Sequence, residues 1–143
     1  MGESIPLSAS GNAMEPMSRE ECESFLAGVT TVGRLAFAST SGQQLLPVNF
    51  VFRHGCVYFK TATDSVLAEL AGGSADVAFE IDHPGQMTQH GWSVLVKGRT
   101  QEVSPDDVDL EPRGPHPWAP GDREILIELS PDEITGRRLQ NRL

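Results

Sequence analysis

The residues of this sequence that carry chemistry are suited to holding a ligand rather than attacking one. There is no Gly-x-Ser-x-Gly elbow, no Gly-x-x-x-x-Gly-Lys phosphate loop and no Gly-x-Gly-x-x-Gly fingerprint. His54, His83, His90 and His116 fall in turn and loop segments without the spacing of metal ligands, so no metal site is expected. Asp106-Asp107 reads as a solvated loop face. Three features remain. Pro47 precedes Asn49 in a segment of strand character, and a proline, lacking its N–H, belongs at an edge or bulge where backbone groups are left to face a ligand. Thr61, Thr63 and Ser65 place three hydroxyls in a strand-to-helix turn, beside the amides of a helix start. That arrangement suits a phosphate, although on the residues alone helix capping is the stronger reading. Trp92 opens a strand in Gly91-Trp92-Ser93, and Trp118 lies in Pro117-Trp118-Ala119-Pro120-Gly121. Each tryptophan suits either plugging a core edge or stacking on a planar cofactor, and the residues do not choose.

The elements that position these residues are short. Residues 1–17 are rich in Ser, Gly and Pro without periodicity and read as a mobile leader, with order beginning at Ser18. Ser18-Arg19-Glu20-Glu21 has capping-box spacing, and Met17 and Cys22 are placed for a hydrophobic staple. Cys22, Phe25, Leu26 and Val29 then mark one helix face, with Gly28 as its stop. From Thr31 the period becomes two. Strands are expected around Leu35 and Phe37, over Leu46 to Arg53, over Cys56 to Thr61, over Ala75 to Asp82, over Gly91 to Val103 and over Ile125 to Leu129. His54-Gly55 is a two-residue hairpin turn. Asp64 or Ser65 caps a short helix carrying Val66, Leu67 and Leu70 and stopped by Gly72-Gly73. Ser130-Pro131-Asp132-Glu133 reads as a second capping box, opening a closing helical turn. Six strands interrupted by short helices imply a mainly β, six-stranded antiparallel barrel over 18–143 as a single domain.

Composition narrows the partners. The 143 residues fit one domain, and 14 Gly with 10 Pro favour many turns over a helical bundle. A net charge of −9 disfavours nucleic acid and an anionic membrane surface. No apolar run approaches a membrane span, and the N-terminal residues do not follow the secretion-signal pattern. Cys22 and Cys56 are too few for a disulfide scaffold. Cytoplasmic residence is the expectation.

Several segments, taken in order, resemble a bacterial branch of the pyridoxamine 5′-phosphate oxidase-like flavin-binding proteins. They are Val32-Gly33-Arg34-Leu35-Ala36-Phe37, Leu46-Pro47-Val48-Asn49-Phe50, Val57-Tyr58-Phe59-Lys60-Thr61-Ala62, Gly91-Trp92-Ser93 with the strand it opens, Pro117-Trp118-Ala119-Pro120-Gly121 and Ile134-Thr135-Gly136-Arg137-Arg138. The resemblance implies a split barrel that forms a homodimer, with FMN in a groove at the subunit interface. It sets Pro47, Val48 and Asn49 along the flavin ring and Thr61, Ala62 and Ser65 near ribityl and phosphate. Trp92 and Ser93 fall near the ring edge, and Trp118 becomes a stacking residue. The implied activity is that of an oxidoreductase acting on a small molecule. The alternatives are a non-catalytic cofactor-binding or interaction module and a relative using deazaflavin or haem, the last with His83, His90 or His116 as axial ligand. One departure stands out. Relatives usually carry Lys or Arg after the Thr-Ala turn, whereas Ser65-Val66-Leu67 has no base. Lys60, Lys97, Arg99, Arg137 and Arg138 are the cations available to replace it.

Overall fold

The structure is a computed structural model that describes residues 12–28, 31–83, 90–110 and 123–141. Val29, His116, Trp118, positions 84–89 and the first eleven residues of the leader lie outside them, as does the side chain of His90. The described strands are β1 (Asn12–Pro16), β2 (Val32–Ser39), β3 (Gly42–Asn49), β4 (Val51–Arg53), β5 (Cys56–Ala62), β6 (Ser74–His83), β7 (His90–Val103) and β8 (Glu124–Asn141). One α-helix, α1 (Arg19–Gly28), and 3₁₀ helices over Val66–Gly72 and Pro105–Asp107 interrupt them. All pairings are antiparallel, in the order β3-β2-β6-β7-β8-β5-β4, with β1 added beside β8. The curled sheet is a split β-barrel with eight strands among the described residues rather than six.

β8 organises the sheet. One edge pairs with β7 from Leu126 to Gln140, and the other pairs first with β5 and then with β1. The inner face carries the core, including Leu35, Phe37, Phe59, Phe79, Val94 and Ile127. α1 contributes Cys22 and Leu26 to this core, and Leu70 enters from the Val66–Gly72 helix. A smaller cluster of Tyr58, Leu110 and Leu126 lies under the segment that follows β7.

Local chemistry accounts for the joints. Ser18 Oγ accepts from Glu21 N at 3.1 Å while Ser18 N donates to Glu21 Oε1 at 3.1 Å, so the expected capping box forms. His54 (φ 54°) and Gly55 (φ 75°) both take positive φ, as a tight two-residue hairpin turn demands. Ser65 caps the Val66–Gly72 helix by accepting from Leu67 N at 3.0 Å.

Three expectations are corrected. The expected strand from Leu46 to Arg53 divides at Phe50, because β3 pairs with β2 while β4 has crossed to β5. Phe50 N donates instead to Thr31 O at 2.9 Å, and the Phe50 ring meets Phe79 edge-on at 4.8 Å. No helical turn begins at Ser130, because β8 runs on through it and its ladder with β7 outweighs the local capping pattern. Lys97 faces Glu133 and Gly98 faces Pro131, leaving Asp132 as the extra residue of a bulge that also absorbs the proline. A Cβ at Gly98 would stand 2.0 Å from Ser130 O, so only glycine admits this approach. Finally, Asn12–Pro16, expected in the mobile leader, forms β1 against Arg137–Asn141, and Met17 is 7% exposed within the core.

Candidate functional site

Strand parity sorts the candidate residues. Val48 is buried on the inner face, so Pro47 and Asn49 point outward, where both are exposed. Among the described residues β3 pairs only with β2, and its other backbone edge has no sheet partner there. Thr61 is buried on the inner face opposite Ile125, Ala62 and Ser65 are half-buried, and Thr63 and Asp64 are exposed. The Ser65 hydroxyl oxygen already serves Leu67 N, and Ser65 N donates to Ala62 O at 3.1 Å. Helix capping is therefore what the turn does within the chain. β3 touches β5 across the open seam of the barrel, so Pro47–Asn49 and Thr61–Ala62 belong to neighbouring strands.

Trp92 and Ser93 lie apart from that pair. Ser93 sits between Asp82 of β6 and Arg137 of β8, three interstrand steps or about 14 Å from the Asn49 row. Trp92 stacks on Phe25 of α1, with centroids at 4.4 Å and planes at 19°. It also meets the His83 ring at 6.2 Å and 24°. The core-edge role of Trp92 is thus realised. The same residue still lines an open cleft of about 410 Å³, whose walls include Glu80, Asp82, Ser93, Arg137 and Leu139. A smaller hollow of about 170 Å³, whose lining includes Ala36, Leu45, Ala78 and Leu95, lies on the outer face.

Sequence reasoning passed over Arg34, Glu80 and Asp82. Arg34 Nη2 donates to Asp82 Oδ1 at 2.7 Å and lies 3.5 Å from Glu80 Oε1. The bond to Asp82 raises the Arg34 pKa further, so this guanidinium stays charged. The alternation of β2 and β6 set these residues opposite the apolar positions, which was the only signal available. Other bases are already engaged: Arg138 holds Glu21, and Arg99 Nη2 donates to Asp132 Oδ1 at 2.8 Å. Burial pushes the thiols of Cys22 and Cys56 up, so neither is an activated nucleophile. No group of three or more His, Cys, Asp or Glu able to hold a metal occurs among the described residues. No helix among them is long and apolar enough to cross a membrane.

The sequence pattern of the pyridoxamine 5′-phosphate oxidase family matches residues 18–138. The chain belongs to this family. The uncharacterised protein Rv0080 of Mycobacterium tuberculosis is 31% identical over 128 residues, which is 86% of this chain and 84% of that protein. Among solved structures, the FAD binding protein of Mycobacterium smegmatis is 27% identical with a TM-score of 0.63, over 88% of this chain and 98% of that one. A FAD-binding protein of Mesorhizobium loti is 20% identical with a TM-score of 0.69, over 92% and 100%, and this likeness speaks to fold alone. Within the pyridoxamine 5′-phosphate oxidase family match fall the β3–β5 seam and, apart from Met14 and Leu139, the lining of the Trp92–Ser93 cleft.

Proposed function

We propose that this protein is a cytoplasmic flavin-binding oxidoreductase, working on a small molecule as a homodimer with FMN between its subunits. The observation that carries the reading is the separation of two groups of candidate residues. Pro47–Asn49 and Thr61–Ser65 lie by the open seam, whereas Trp92 and Ser93 lie about 14 Å from the Asn49 row on the same chain. A second copy presenting its Trp92 and Ser93 to the first copy's seam completes one site from two halves. The residues at the seam fit a flavin. The edge of β3 that has no sheet partner among the described residues offers backbone donors and acceptors to a ring, with Pro47 and Asn49 exposed beside it. Ser65 accepts from Leu67 N and retains its own hydroxyl hydrogen for a phosphate oxygen. Bound flavin supplies electron transfer, and the chain supplies position and electrostatics.

One observation favours a second reading. Val66 packs against the core, so the turn has no cation where relatives carry one. Losing a charge-assisted phosphate contact costs about 1.5–3 kcal/mol, roughly one to two decades of affinity. That loss suits a non-catalytic cofactor-binding or interaction module. The visible spectrum of the purified full chain, followed by titration with FMN, FAD and riboflavin by fluorescence quenching, separates the readings. Flavin bands or saturable quenching are expected. A colourless protein that ignores all three flavins overturns the first reading, and a Soret band replaces flavin with haem.

A further inference from the structure

The cleft along β6, β7 and β8 is polarised from end to end. Consecutive register partners run Asp82, Ser93, Arg137 across the three strands, so the first and last backbones stand about 10 Å apart. At one end Glu80 and Asp82 share the single guanidinium of Arg34, which leaves that end with one net negative charge. At the other end Arg137 is exposed and has no carboxylate partner among the described residues, unlike Arg34, Arg99 and Arg138. Between the ends lie Ser93, Trp92 and Gly91, which contributes no side chain, and the apolar lining continues along and beyond β8 over Leu139 and Met14, paired across β1 and β8 and 40% and 38% exposed. Such exposure of large apolar groups beside unmatched charges marks a binding surface more often than a solvated one.

We infer that this cleft binds a small dipolar molecule: a flat, largely apolar body with a carboxylate at one end and an ammonium group at the other. Arg137 and the Ser93 hydroxyl take the carboxylate, while Glu80 and Asp82 take the ammonium. A volume of about 410 Å³ admits one substituted ring with its two end groups. A dianionic phosphate ligand is disfavoured, because the carboxylates at the far end repel it. All lining residues come from one chain; because Trp92 and Ser93 are shared with the half-site proposed for flavin, the titrations use flavin-free chain, so that calorimetry reports this ligand separately from any flavin signal.

The test is isothermal titration of the full chain with 4-(aminomethyl)benzoate, benzylamine and benzoate. The dipolar compound should bind at least about tenfold more tightly than either singly charged analogue, since each end makes a charge-assisted contact. In Arg137→Gln, 4-(aminomethyl)benzoate should weaken by about tenfold while benzylamine is unchanged, which shows that the cleft itself is intact. Pairing Glu80→Gln with Asp82→Asn frees Arg34, so benzoate should then bind more tightly than in the parent. Equal binding of all three compounds overturns the proposal, as does the absence of heat with any of them at millimolar concentration. So does an Arg137→Gln variant that loses benzylamine as fully as 4-(aminomethyl)benzoate.

Discussion

Val66 is the residue at which the cofactor question becomes measurable. It follows the Ser65 cap and packs, half-buried, against the core. Replacing it with Lys removes part of that contact, at a cost of about 1 kcal/mol, while the long side chain can carry its ammonium to the surface. If the Thr61–Ser65 turn holds the FMN phosphate, the Val66→Lys variant should bind FMN roughly tenfold more tightly at low salt and riboflavin no more tightly. The gain should shrink as salt rises, because an exposed ion pair is screened. FMN quenching titrations at two ionic strengths, with a melting curve for each variant, give the answer. An unchanged FMN affinity with only the small stability loss removes the phosphate from this turn.

At the scale of elements, the tie between α1 and β8 has a pH signature. Glu21 closes the capping box and also accepts from Arg138 of β8. The Arg138 hydrogen bond, followed by the Ser18 backbone N–H, lowers the Glu21 pKa from its ordinary 4.5. A carboxyl lowered on folding adds stability above its unfolded value and loses it as pH falls through its folded value. Glu21→Gln keeps the capping geometry but removes the charge. Its melting temperature should lie a few degrees below the parent at neutral pH, with the gap closing on acidification below 4.5. A gap that persists at pH values where the parent carboxyl is protonated would assign the effect to packing instead. This capping box was legible because Ser18 and Glu21 are neighbours in sequence. The His54-Gly55 turn and the alternation of Leu46, Val48, Phe50 and Phe52 were legible for the same reason. The failures came from long-range pairing. Nothing local in Ser130-Pro131-Asp132-Glu133 reports that β7 holds it extended, and β1 exists because Arg137–Asn141 offers it an edge. The cleft was hidden likewise, since Asp82, Ser93 and Arg137 become neighbours only through the register of three strands.

For the whole molecule the decisive surface is the outer face of β3, β2, β6 and β7. Leu45 is 67% exposed there, in a hollow floored by Ala36, Ala78 and Leu95, and Val32 is 44% exposed on the same face. In the proposed dimer a two-fold partner lying on this face would cover each Leu45 once per subunit. Burying the remaining area of two leucines is worth about 2–4 kcal/mol, so Leu45→Glu should weaken association by roughly two decades or more. Its carboxylate would also lie beside Glu80, which borders the same hollow. Light scattering after gel filtration should find the parent as a dimer at micromolar concentration and Leu45→Glu as a monomer with an unaltered circular dichroism spectrum. Because the proposed flavin site is completed by the second copy, the same variant should lose FMN affinity in step with its loss of dimer. A monomeric parent that still binds FMN would leave the flavin and remove the interface from the proposal. A dimeric Leu45→Glu would instead place the contact on another face, and the Trp92–Ser93 half of the site would have to be sought there.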